Sequence, residues 1–114
     1  MSIRAQEEYF CPIDVTLSVM SGKWKPLILF HLKNAPQRFS VLLRKIPGIS
    51  HKVLTQQLRA LESNRLISRA HQKEHTDAYE LTEFGRTLKS SLTALAAWGQ
   101  KHHAELGVQL VWRP

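Results

Sequence analysis

A chain of 114 residues with 43% hydrophobic and 22% charged side chains can bury one core and is too apolar to be disordered. A single cysteine excludes an intrachain disulfide, and no apolar run approaches the ~20 residues that cross a bilayer. The formal net charge of +7 is localised, because eleven of the sixteen Lys and Arg lie between Lys23 and Lys73, with Glu62 the one acid among them. Such an excess suits a polyanion that sheds counterions on binding, although charge alone fits a solvated face or a membrane surface as well. The amino end, MSIRAQEEYF, has two glutamates and no apolar h-region, so a cytoplasmic protein is expected.

Cys11-Pro12 marks a helix start, since proline is accommodated at the first helical position. PIDVTLSVM, residues 12–20, carries apolar Ile13, Val15, Leu17 and Met20 and stops at Ser21-Gly22. A second helix is expected from Trp24 to Lys33, with Pro26 in its first turn and Leu27, Ile28, Phe30 and Leu32 mostly buried. Asn34-Ala35-Pro36 ends it, a short helix from Phe39 to Ile46 follows, and Pro47-Gly48 breaks the chain again. Ser50 then caps a helix running to about Ser63. LISRAH (66–71) and AYELT (78–82) read as two short strands around the polar tip QKEHTD. Thr82 can cap one long last helix in which Phe84, Leu88, Leu92 and Leu95 recur at spacings of four, four and three. The tail LGVQLVW, residues 106–112, is too apolar to be left in water and is expected to pack.

The stretch PGISHKVLTQQLRALE, residues 47–62, holds the strongest contrast in the chain. At about 100° per residue, Leu54, Leu58 and Leu61 fall on one face of its helix. Lys52, Gln56, Arg59 and Ser63 fall on the opposite face, with Thr55 at the edge. The leucines require a core; the other face offers long hydrogen-bond donors. With no repeat or linker in residues 1–114, the natural parse is one unit. Its expected fold is mostly α with a small β-hairpin: a winged helix-turn-helix in which Pro47-Gly48-Ile49 is the turn. The polar-faced helix can then lie in a major groove, and the hairpin can reach a neighbouring phosphate run or minor groove.

In order along the chain, Gly22-Lys23-Trp24, Arg38-Phe39, Gly48-Ile49-Ser50, Leu54-Thr55, Leu58-Arg59 and Leu61-Glu62, then Tyr79-Glu80-Leu81-Thr82 with Gly85 and Leu88, resemble the HxlR-type winged-helix regulators of bacteria. The match runs from Cys11-Pro12 to Trp98. The resemblance implies a homodimeric transcription factor with a recognition helix at about 50–63 and a wing at about 66–82. It also implies a role for the cysteine before the first helix in sensing electrophiles or oxidants. A dimerisation helix and tail are expected at about 83–112. Arg65 stands where that family usually has glycine, and the proline common near its wing tip is missing from EHTDAYELT.

The candidate DNA contacts are therefore Lys52, Gln56, Arg59 and Thr55 on the recognition helix, with Ser50 and His51 at its start. Ser50 can serve as a helix cap, and the amides near it can hold a phosphate. Arg38 and Lys45 are candidate phosphate clamps; Arg69, Lys73 and His75 are wing candidates for backbone or minor-groove contact. Cys11 has two readings. At a helix amino terminus the dipole favours a reactive thiolate, whereas beside Phe10 a buried thiol serves as a small hydrophobe. Six histidines without a second cysteine or an H-E-x-x-H pattern give no metal site, and no cofactor is expected. Trp98 and Trp112 are read as core or dimer-interface aromatics. The expected partners are an operator duplex, a second copy of the chain and a small reactive effector, with no membrane. Two rival classes are a small enzyme using Cys11 with a histidine, which lacks any arranged acid, base or oxyanion motif, and a winged-helix protein-interaction module without sequence-specific DNA binding.

Overall fold

The computed structural model describes residues 8–70 and 77–111. Within them the chain runs α1 (Pro12–Val19), α2 (Trp24–Leu32), β1 (Gln37–Arg38), α3 (Phe39–Lys45), α4 (His51–Ser63), β2 (Ile67–Arg69), β3 (Ala78–Leu81), α5 (Glu83–Arg86) and α6 (Lys89–His102). The three strands form an antiparallel sheet in the order β1-β3-β2. Gln37 pairs with Tyr79 and Arg38 with Ala78 on one side; Ile67, Ser68 and Arg69 pair with Leu81, Glu80 and Tyr79 on the other.

The expected winged helix-turn-helix is the fold of the molecule. Its core gathers Ile28, Leu29 and Leu32 of α2, Leu42 of α3, and the α4 stripe Leu54, Leu58 and Leu61. The wing adds Ile67, Tyr79 and Leu81, and α6 adds Leu92. Each fully buried leucine contributes roughly 1.5–3 kcal/mol, so the α4 stripe alone is a main anchor of that helix. Gly48, at φ 85°, supplies the left-handed residue that turns α3 into α4. Ser50 opens α4 with extended backbone, and its hydroxyl accepts the Val53 amide at 3.1 Å.

The other end of α4 explains Arg65. The Leu66 amide donates back to the Leu61 carbonyl at 3.1 Å and the Arg65 amide to the Glu62 carbonyl at 2.9 Å. This pair of bonds closes a helix through one left-handed residue, and Arg65 occupies that position at φ 62°. The glycine usual in the family would meet the same backbone requirement without strain.

Five expectations need correction. Gln37–Arg38 forms a third strand beside the expected hairpin, too short at two residues to show alternation. The last helix is two helices: Thr87 and Leu88 donate to the Phe84 and Gly85 carbonyls, a tight three-residue step that leaves Phe84 59% exposed. In α2 Leu27 is exposed while Leu29 takes the buried position; α1, for which no burial was expected, also exposes Ile13, Val15 and Leu17. The tail lies along α2 and α6 but keeps Leu106, Val108, Leu110 and Val111 exposed. Trp98 is also exposed, at 58%, which removes its core reading; Trp112 lies outside the described residues. Among the described residues, no helix is long and apolar enough to cross a membrane.

Candidate nucleic-acid interface

Lys52, Gln56 and Arg59 project from α4 as exposed side chains, opposite the buried leucines. The two neighbours at the helix start are already engaged. Ser50 spends its hydroxyl oxygen on the cap, and the His51 ring lies 4.6 Å from the Phe39 ring at a 50° tilt. That contact brings the amino ends of α3 and α4 together. Thr55 is half-buried and its hydroxyl donates to the His51 carbonyl at 2.9 Å, so only its lone pairs are left for a partner.

The wing joins this face through Tyr79. Arg69, exposed on β2, sits opposite Tyr79 in the ladder with its guanidinium carbon 5.1 Å from the ring centroid. Cation and ring attract there through the ring quadrupole. Burial raises the Tyr79 pKa above 10.0; Arg69 and, more weakly, Arg59 oppose the rise, and Glu62 and Asp77 add to it. The Tyr79 phenol is thus within electrostatic reach of α4 and of the wing. Tyr79 itself is buried, so it backs Arg69 from the core side, a role that the strand pattern AYEL could not reveal because the same pattern fits any core tyrosine.

The remaining candidates are spread around this centre. Arg38 lies at the base of the wing, its Nε 3.6 Å from the Asp77 carboxylate. Lys45 is exposed at the carboxyl end of α3, near enough to His31 of α2 to reinforce the lowering of its pKa that burial begins. Arg38 and Lys45 therefore stand at opposite ends of α3 rather than as one clamp. Lys73 and His75 lie outside the described residues. Cys11 precedes α1 in extended backbone (φ −153°, ψ 164°), partly exposed, with its carbonyl accepting the Asp14 amide at 3.0 Å.

The histidines near the carboxyl end have local partners. His102 Nδ1 is 2.8 Å from Glu105 Oε1, and His103 Nδ1 donates to the Val108 carbonyl at 2.9 Å. Among the described residues no three His, Cys, Asp or Glu side chains converge as metal ligands would.

Comparison with known proteins agrees with this geometry. The sequence pattern of the HxlR-like helix-turn-helix family matches residues 19–106. The HTH-type transcriptional regulator YtcD of Bacillus subtilis is 43% identical over 99 residues, spanning 85% of this chain and 79% of that protein. Among solved structures, the redox regulator HypR in its reduced form superposes with a TM-score of 0.77 at 36% identity, covering 85% of this chain and 98% of that one. Quinone-bound YodB from B. subtilis superposes with a TM-score of 0.67 at 31% identity, covering 81% of this chain and 99% of that one.

Proposed function

Because the chain belongs to the HxlR-like helix-turn-helix family, it is a DNA-binding transcriptional regulator, and we propose that it holds a pseudo-palindromic operator as a homodimer until Cys11 is modified. The observation that carries the DNA reading is the exposed face of Lys52, Gln56 and Arg59 on α4, opposite the buried Leu54, Leu58 and Leu61, with Arg69 exposed on the adjacent wing. Lys52, Gln56 and Arg59 enter a major groove, where long donors meet base edges, while Arg69 follows the adjacent backbone. Ser50, His51, Thr55, Arg38 and Lys45 supply flanking contacts, and the wing tip with Lys73 and His75 extends them.

Dimerisation is supported by the apolar surface left on one chain. Ile13 and Leu17 of α1 are 65% and 54% exposed, and Leu95 and Trp98 of α6 are both 58% exposed. Surface of this kind is normally covered by a partner. Two copies joined there set their α4 helices in successive major grooves, ~34–36 Å apart.

Control through Cys11 is supported by its position before α1, within the surface assigned to dimerisation, and by the likeness to HypR and quinone-bound YodB. The Cys11 thiolate adds to an electron-poor carbon of a quinone. A carbon–sulfur bond forms and the ring takes up a proton, giving a thioether-substituted hydroquinone with no other oxidant required. The added bulk displaces α1 and changes the separation of the two α4 helices, so both half-sites cannot dock at once.

The test is an electrophoretic shift on an operator selected from random DNA, with and without a quinone. Wild type should bind and then release, while Cys11→Ser should bind and stay bound. Release of the serine variant would remove Cys11 as the sensor. A folded chain that shifts no DNA would favour the protein-interaction module instead.

A further inference from the structure

On the DNA-binding reading above, we propose that Lys23 is an additional anchor for the duplex, an ammonium that grips a backbone phosphate beside the groove that α4 enters. The residue belongs to the start of α2, outside both the helix-turn-helix pair α3–α4 and the wing.

Three residues build the anchor. Lys23 is exposed, and its Nζ lies 4.8 Å from the centroid of the Trp24 ring. Cation and ring attract, so the indole restrains a long side chain that would otherwise sweep through water. Trp24 is half-buried and packs against the main core. Its ring also faces the turn between α3 and α4: a Cβ built on Gly48 would stand 3.9 Å from Trp24 Cη2. Gly48 is the left-handed residue that leads into the Ser50 cap of α4. One indole therefore spans from that turn to Lys23, and the ammonium is held on the flank of the amino end of α4.

Electrostatics names the occupant. The first turn of α2 has no acidic residue and no side-chain cap, although the start of a helix is its positive end. Lys25 puts a second cation in that turn and is only 4% exposed. Among the described residues neither lysine belongs to an ion pair. No Asp or Glu occurs from Val15 to Leu61, so α2, α3 and the turn hold no carboxylate of their own to balance these charges. Cations gathered at a positive helix end repel in the free protein, and an arriving anion relieves that repulsion. The phosphates bordering a major groove pass the amino end of a helix seated in it, and a lysine meets a phosphate as a compact point charge.

The contact is read by salt. Binding of the full chain to a selected operator is followed across a tenfold range of salt. Wild type should lose about eightfold more affinity over that range than Lys23→Gln, the contribution of one phosphate to the slope. Lys23→Arg keeps the charge and stacks on an indole, so it should restore the slope. Trp24→Leu keeps an apolar residue but frees the ammonium. It should weaken the same duplex, and Lys23→Gln added to it should then cost less than in wild type. If Trp24→Leu unfolds, Trp24→Phe retains a ring face and should bind like wild type. A series of operators, each carrying one neutral methylphosphonate, locates the partner. At one position per half-site wild type should fall to the level of Lys23→Gln, and the variant should be indifferent to that change. An unaltered salt slope in Lys23→Gln, or a variant still sensitive to every methylphosphonate that weakens wild type, would overturn the anchor and leave the α4 contacts standing. A wild-type chain that binds no duplex would instead remove the DNA reading, and the anchor with it.

Discussion

The Thr82 hydroxyl donates to the Arg65 carbonyl at 2.7 Å and thereby ties the start of α5 to the end of α4. The same oxygen accepts the Gly85 amide at 2.9 Å, so one side chain caps a helix and bridges two elements. Thr82→Ala should cost about 1–2 kcal/mol, the range of a lost cap, and lower the melting temperature by several degrees. Gly85→Ala should do more damage, because a Cβ there would land on the Leu66 carbonyl oxygen, which is backbone and cannot step aside. Thermal unfolding of the two variants checks the order: Gly85→Ala must be the less stable.

Arg65 bears a left-handed backbone that costs an ordinary residue about 1–2 kcal/mol, and glycine escapes that cost while losing some chain entropy. Arg65→Gly should therefore stabilise the fold by up to about 1 kcal/mol. A drop in the urea midpoint would show that the exposed guanidinium matters more than the backbone.

Arg59→Ala and Gln56→Ala should each weaken the selected operator by ~1–3 kcal/mol if the side chain makes a bidentate base contact. Lys45→Ala should weaken all duplexes about equally and reduce the salt slope by ~0.9, the signature of one phosphate. Tyr79→Leu keeps an apolar core residue but removes the ring under Arg69, so it should cost affinity in the same direction as Arg69→Ala. If Tyr79→Leu binds like wild type and remains folded, the ring does not organise this surface.

Trp98→Glu places a charge on the exposed apolar face of α6. Light scattering should then fall from twice the chain mass of 13.1 kDa to a single chain, without loss of helical signal. A dimer that survives both Trp98→Glu and Ile13→Glu would place the interface elsewhere.

Burial first, and Lys45 second, hold the His31 pKa below its ordinary 6.5. The unfolded chain takes up a proton near 6.5 before the folded imidazole does, so this residue favours unfolding as pH falls through that window. Its stabilising effect is complete above 6.5, and the loss levels off once the folded group also titrates. His31→Asn should flatten the stability profile there. Lys45→Ala should flatten it in part, because burial is the larger cause. Denaturant midpoints from mildly acidic to neutral pH decide this.

Where periodicity and capping chemistry were strong, the sequence already contained the answer. The stripe Leu54, Leu58, Leu61 and the cap Ser50 define α4 together, and both are realised in the fold. The break at Phe84–Leu88 was hidden because spacings of four, four and three survive a tight turn that redirects the axis. The strand Gln37–Arg38 was hidden for another reason: it exists through its pairing with Tyr79 and Ala78, forty residues onward. The stacking of Arg69 on Tyr79 is likewise tertiary, since it depends on the register of β2 against β3.

That short strand decides what kind of movement regulation can use. β3 is hydrogen-bonded to β1 on one side and β2 on the other, and β1 runs directly into α3, where the Phe39 amide donates to the Asp77 carbonyl at 3.3 Å. Wing and helix-turn-helix are thereby stitched into one rigid head. A signal arriving at α1 or at the tail cannot tilt the wing against α4 without tearing that seam. In the dimer proposed above, what it can alter is the stance of two intact heads, so each half-site should keep its base preferences while the tolerated spacing between half-sites changes.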